Sequence, residues 1–305
     1  RANGMPAQNR GTYLRKCRRA CQPKQRPGGA GGYPVLGKQF LAATGAPYRI
    51  LMKIKACGAV VTYVGLAADL NAGTHDKFRG CQREARMRFR DRTDAGQKLA
   101  KLLEKYKNRP GIVYPLPRGG VALGVEIARA LGMPLDLIIP RKIGHPYNSE
   151  YAICAVTEQG APICNEAEVA RVDPVWFKQR VEAERREARR RREHYLAGRA
   201  PLPVAGKIAI LVDDGIATGL TMRAAIHDAR QRNPARIVVA IPVAPKETAE
   251  LLAREVDEVA AIEVSDFYLG AVGAYYDYFP QLTDDEVIVL LQGVRGPPGD
   301  SATPA

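Results

Sequence analysis

From about residue 94 the chain alternates between short unbroken apolar runs and longer stretches whose apolar residues recur every three or four positions. The runs lie at 112–116, 135–139, 207–212, 236–244 and 258–264. Runs of this length without polar alternation predict strands buried on both faces. Between them, Leu99, Leu102, Leu103 and Tyr106 share one helical face, with Asp94 as the expected N-cap. Further helices are expected over Val121–Leu131, closed by Gly132, over Val175–Leu196 behind Asp173-Pro174, and over 222–231, 246–256 and 283–293. Two short runs around Glu158-Gln159-Gly160 read as a hairpin that sets Cys154 opposite Cys164. The run at 135–139 continues into Arg141-Lys142 and then into a polar loop with Gly144, Pro146 and Asn148. Strand after strand followed by a helix specifies an α/β fold with a parallel sheet covered on both faces. In such sheets ligands collect beyond the C-terminal strand ends.

The first 86 residues break this rhythm. They hold Arg/Lys clusters such as RKCRR at 15–19 and a Pro/Gly stretch at 25–34, and residues 1–49 read as disordered. The stretch from Met52 loosely imitates a signal peptide but is internal, has no convincing cleavage site and is too weakly apolar to span a bilayer. The expected organisation is a basic, disordered or non-native extension over 1–86, a folded domain over 87–295 starting near Met87, and a disordered tail over 296–305.

Charge follows the same division. The formal net charge is +14. Residues 1–86 hold 16 Lys/Arg against 3 Asp/Glu, whereas the remaining 219 residues hold 30 against 29. The excess belongs to the first segment, so it gives no argument that the folded domain binds nucleic acid. On the helix around 175–196, i,i+4 partners Glu182–Arg186 and Glu187–Arg191 read the Arg189–Arg192 run as a solvated face. No cysteine spacing matches a zinc site, and Cys154 and Cys164 read as thiols of a cytoplasmic protein.

Candidate chemistry gathers at the strand ends. In VDDGIATGLT, 212–221, Asp213 and Asp214 follow a strand and precede a small-residue loop that opens a helix. Backbone amides of Gly215, Ile216, Ala217, Thr218, Gly219, Leu220 and Thr221, with two threonine hydroxyls, suit a phosphate. The acid pair repels phosphate and instead suits sugar hydroxyls or Mg²⁺. Together they describe a ribose 5-phosphate; the plain alternative is a strand–turn–helix with acidic turn residues. Arg118, Gly119 and Gly120 form a second anion cradle, and Arg141 and Lys142 supply two cations. The aromatic loop 266–279, with Phe267, Tyr275 and Tyr276, can cover a flat heterocycle by stacking. Two anion sites imply a ligand phosphorylated at both ends of its sugar.

The run Asp213-Asp214-x-x-x-Thr218-Gly219-x-Thr221 resembles the phosphoribosyl pyrophosphate (PRPP) signature of type I phosphoribosyltransferases. Arg118-Gly119-Gly120 is similar to their pyrophosphate loop, and Arg141-Lys142 with the loop behind it to their cationic pair and flexible lid. MRFRDR, LPRGGV, RKxG, VDDGxATG and AVGAYY resemble a bacterial-type group of that family. The resemblance implies a central, mostly parallel sheet flanked by helices, with a small hood and a hairpin/long-helix insertion. It implies transfer of 5-phosphoribosyl from PRPP to a nitrogenous base, with Mg²⁺ bound to PRPP and to Asp213 and Asp214. It also implies a cytoplasmic homodimer without membrane contact. Ala217 stands where the 6-oxopurine enzymes carry Asp, which looks more like the adenine or orotate type. Glu150, in Glu150-Tyr151, is the candidate acid by similarity to adenine enzymes, with a surface carboxylate as the plain alternative. His145 reads as loop filler or a lid contact. The alternative function on the same fold is a PRPP- or nucleotide-sensing regulator that contacts RNA.

Overall fold

The computed structural model describes residues 88–294 together with the backbone of three upstream strands, β1 (Val35–Leu41), β2 (Arg49–Ala56) and β3 (Ala59–Leu66). These three strands fall within the 1–86 stretch expected to be disordered or non-native; the rest of 1–86 and the tail from 295 lie outside the described residues. Helix α1 (Arg92–Leu102) leads to β4 (Gly111–Pro115) and α2 (Gly120–Leu131). The insertion follows as β5 (Arg141–His145), β6 (Asn148–Val156), β7 (Ile163–Cys164), the short α3 (Glu166–Val169) and the long α4 (Pro174–Leu196). Then come β8 (Ile208–Val212), α5 (Leu220–Gln231), β9 (Arg236–Pro245), α6 (Lys246–Ala253), β10 (Glu258–Ser265) and α7 (Asp284–Gln292). None of the described helices is long and apolar enough to cross a membrane.

Seven strands form one sheet in the order β1-β2-β3-β10-β9-β8-β4, parallel from β3 onward, with β1 and β2 antiparallel at its edge. Successive strand residues point to opposite faces, so both faces are apolar. Val113, Ile210, Val212, Val238 and Ala260 pack against α1, α2 and α7 on one side. Ile112, Leu211, Val239, Ile241 and Val259 pack against α5 and α6 on the other. Each fully buried Leu, Ile or Val contributes about 1.5–3 kcal/mol. The long helix is N-capped by Asp173 with Pro174 in its first turn, and α7 carries a capping box from Thr283 and Glu286, as their sequences predict.

Four expectations are corrected. Helix α1 is capped by Asp91, whose side chain accepts from the Asp94 amide at 2.8 Å; Asp94 instead takes Lys98 at 2.6 Å. Residues 141–145 are a strand, antiparallel to β6, so Gly144 is not in a loop. The Cys154–Cys164 register across β6 and β7 is as expected, but the two form a disulfide where thiols were anticipated.

The last correction concerns residues 135–139, which are buried yet make only one bridge, Leu135 to Val113. Their carbonyls find guanidinium groups in place of a partner strand: Arg199 donates to Leu135 at 3.1 Å and Arg192 to Leu137. Arg192 also pairs with Asp136 at 2.7 Å, and Asp136 accepts the Leu202 amide at 2.9 Å. So Arg192, 6 % exposed, is not part of a solvated face. It lies on the inward stripe of α4 with Val181, Glu184, Ala188 and Tyr195. The rest of the arginine run does make exposed pairs, Glu187 with Arg190 and Arg191, while Glu182 takes Arg185 and not Arg186.

Two expected outcomes follow from this architecture. Every core residue whose side chain is described lies within 89–291, and a chain starting at Met87 should fold with a cooperative thermal transition by circular dichroism. An aggregated or non-cooperative product would show that the upstream strands are required. Asp136→Ala leaves the Arg192 charge buried without its partner and should cost about 3–5 kcal/mol in urea unfolding; a loss below about 1 kcal/mol would show that the pair does not hold α4 to the sheet.

Candidate active site

A cleft of about 440 Å³ opens beyond the C-terminal ends of β4 and β8. It brings together three separate stretches that the sequence singles out. Asp213, Asp214, Gly215, Ile216 and Ala217 line it, followed by Thr218, Gly219 and Thr221. Arg118 and Gly119 line it from the loop after β4, and Arg141 and Lys142 from the start of β5. Gly120 and Leu220 are the first residues of the helices immediately behind.

Both of those helices begin at a glycine that offers no side chain, Gly119 for α2 and Gly219 for α5. Neither end therefore has a capping side chain, although in α2 the Gly120 amide donates to the Leu116 carbonyl at 3.1 Å and the Val121 amide to the Arg118 carbonyl at 3.2 Å. The first-turn amides left free form an anion site, strengthened by the positive end of the helix dipole. The phosphate-type loop is itself held from behind: Ile216 donates to Val243 at 3.0 Å, and Thr248 donates its hydroxyl to the Ala217 carbonyl at 2.8 Å.

Between the two helix ends sits the acid pair. The Asp214 amide donates to Asp213 Oδ1 at 2.9 Å. Burial holds the Asp213 carboxyl well above the usual range, and the adjacent Asp214 charge adds to this, while Lys142 and Arg92 pull downward. Burial likewise raises Asp214, opposed by Arg92. Arg92 is the functional-site residue that pattern reasoning missed: its Nε and Nη2 both lie 2.9 Å from Asp214 Oδ2. The signal was present in the MRFRDR motif, which as a string carries no indication of what its arginines touch.

The cations divide by commitment. Arg141 Nε is 2.9 Å from the buried Glu184 of α4, which also takes Arg180 at 2.7 Å. Arg118 Nη1 lies 3.6 Å from Asp284 at the start of α7. The Lys142 side chain has no hydrogen bond or ion pair among the described residues, and it acts electrostatically on Asp213.

The aromatic loop is corrected in two of its three residues. Tyr275 and Tyr276 are 1 % and 3 % exposed and belong to the core, so neither ring offers a face to a heterocycle. Tyr276 instead donates its hydroxyl to the Asp214 carbonyl at 2.6 Å, and Tyr275 accepts from the Leu269 amide at 3.1 Å. Phe267, 80 % exposed, keeps a free ring, and Val272 is the loop residue that reaches the cleft. Glu150 is exposed on β6 and does not line the cleft, which favours the surface-carboxylate alternative. His145 is at the far end of β5, its ring 5.6 Å from Tyr147 and outside the cleft lining.

Among known proteins, the family described as "Phosphoribosyl transferase domain" matches residues 92–278. Proteins of Mycobacterium tuberculosis strains CDC 1551 / Oshkosh and H37Rv, both provisionally named phosphoribosyl transferases, are 39% identical over 210 residues. Those matches cover 67% of this chain and 46% of theirs, so the chain spans about half the length of these curated relatives. The crystal structure of TT1426 from Thermus thermophilus is 39% identical with a TM-score of 0.58, covering 69% of this chain and 100% of that one.

Gly119 ties the two halves of the cleft together. Its backbone is right-handed helical, φ −59 and ψ −41, which any residue adopts. Yet a Cβ there would overlap the Asp214 carboxylate. Gly119→Ala should therefore destabilise by about 1–3 kcal/mol through overpacking, and a crystal structure of the variant should show Asp214 displaced from Arg92. An unshifted carboxylate at wild-type stability would disprove this contact.

Proposed function

The chain belongs to the phosphoribosyl transferase domain family, and on that footing we propose that it transfers 5-phosphoribosyl from PRPP to a nitrogenous base, or runs the reverse pyrophosphorolysis. One observation carries the reading: two helix N-termini that begin at glycine, an acid pair, Arg118 and a lysine side chain without an ion pair among the described residues share one cleft. A mononucleotide needs one anion site; a sugar phosphorylated at both ends needs two.

In this reading the free amides and the threonine hydroxyls of 215–221 hold the 5-phosphate, with Ile216 excepted because its amide is taken by Val243. Asp213 and Asp214 accept the ribose hydroxyls, which orients C1 of the sugar toward the base. The Gly119 amide, with Arg118 and Lys142, holds pyrophosphate, and Gly120, whose amide is taken by the Leu116 carbonyl, contributes a backbone without a side chain. Arg141 has part of its guanidinium engaged by Glu184, so it contributes positive field and the remaining donors. As the C1–oxygen bond breaks, its electron pair leaves with pyrophosphate and positive character grows on the sugar ring. The base nitrogen then forms the new bond at C1 and loses its proton. Donors aimed at the departing oxygens favour this charge distribution over that of intact PRPP.

No three metal-ligating side chains converge among the described residues. Two adjacent carboxylates nevertheless fit Mg²⁺ whose other ligands are substrate oxygens and water. When bound, the ion neutralises charge on the leaving pyrophosphate. The base side of the cleft offers Val272 and no carboxylate at Ala217, which supports a base other than guanine or hypoxanthine. A cytoplasmic homodimer is in keeping with the same reading.

The decisive experiment measures pyrophosphate release from PRPP with Mg²⁺ across a panel of bases. Turnover on at least one base is expected, and Asp214→Asn should lower it by roughly two orders of magnitude or more. Tight PRPP binding with no turnover on any base would select the sensing alternative. Full activity in Asp214→Asn would remove the acid pair from the ribose.

A further inference from the structure

The segment ahead of α1 is stitched to the aromatic loop. The Phe89 amide donates to Tyr275 at 2.8 Å, the Asp277 amide to Phe89 at 2.8 Å, and the Tyr278 amide to Arg90 at 2.9 Å. Arg88 adds a 3.1 Å pair with Asp277. This pairing delivers Arg92, the first residue of α1, into the space behind the acid pair, where it is only 9 % exposed.

There the guanidinium is committed at all three nitrogens. Nε and Nη2 both reach Asp214 Oδ2 at 2.9 Å, and Nη1 donates to the Pro280 carbonyl at 2.6 Å. Its plane lies 3.8 Å from the centre of the Phe279 ring, which packs 4.6 Å from Tyr276. Tyr276 in turn holds the Asp214 main chain through its carbonyl. Asp214 is thus gripped at side chain and backbone by groups that also bind each other. A planar fork engages the carboxylate through two N–H groups and donates elsewhere in one fixed plane that also stacks on a ring; a lysine's three rotatable donors do not hold that geometry.

We propose that Arg92 is a positioning residue: it fixes the Asp214 carboxylate in the orientation that accepts the ribose hydroxyls, and it ties that orientation to the aromatic loop through Pro280 and Phe279. The inference rests on the phosphoribosyl reading above. It separates two jobs within one cleft. Ribose recognition depends on Arg92, whereas pyrophosphate recognition relies on the α2 end, Arg118 and Lys142, with which Arg92 makes no hydrogen bond or ion pair among the described residues.

The test is calorimetric titration of the full chain with PRPP and, separately, with pyrophosphate, each with Mg²⁺. Arg92→Ala should weaken PRPP by roughly 10- to 100-fold and leave pyrophosphate within about threefold, with added guanidinium chloride at low millimolar concentration restoring part of the PRPP affinity. Unchanged PRPP affinity, or equal loss of both ligands without rescue, overturns the proposal and leaves Arg92 a fold-maintaining residue. If Arg92→Ala does not fold, Arg92→Lys carries the test, because it keeps the charge but not the fork. The same PRPP-selective weakening is then expected, and wild-type affinity overturns the proposal. Failure of the unmodified protein to bind PRPP is a distinct result, seen before any substitution, and removes the phosphoribosyl reading together with this inference.

Discussion

Two neighbouring carboxyl groups at the end of an apolar strand are costly to bury, and the structure around the cleft is arranged about that cost. Desolvation penalises both charges, and the Asp214 charge adds to the penalty on Asp213. The compensation comes from far away in sequence, Arg92 from the start of the first described helix and Lys142 from the insertion, while Tyr276 from the aromatic loop fastens the Asp214 main chain. Gly119 must be glycine because this carboxylate occupies the room a side chain would need. Several otherwise unrelated choices in the chain therefore share one electrostatic cause.

The sheet and its helices were legible because their signals are local and periodic. Four strand runs and most helix ends follow from apolar spacing, a terminal glycine such as Gly132, or a cap such as Thr283. What failed were places where a side chain does the work of a backbone. Residues 135–139 have the composition of a strand, but Arg192 and Arg199 satisfy their carbonyls, and nothing local distinguishes an arginine facing solvent from one facing a buried aspartate. Glu184 and Arg192 occupy core positions of α4 on the same stripe as Val181 and Ala188. A hydropathy pattern registers such residues as breaks in the stripe. The paired carboxylates and the glycine loops were readable for a similar reason to the strands, since their chemistry is contained within ten residues.

The aromatic loop shows the opposite error. Residue type suggested a stacking surface, yet the tyrosines are valued here for their hydroxyls and volume. A ring with one polar tip can fill a core and still fasten a main-chain carbonyl. Tyr276 does both, and so lends rigidity to the acid pair without touching the cleft. The exposed ring at Phe267 and the small side chain of Val272 are what this loop presents outward.

The two helix ends have a consequence of their own. Backbone amides have no ionisation in the range where proteins are stable, and no side-chain substitution removes them short of proline. On the proposed reading, whatever share of phosphate anchoring falls to these amides would be resistant to mutation, while the surrounding side chains would be free to change. A cleft built this way could be retuned toward new acceptors over generations without surrendering its grip on the proposed sugar donor.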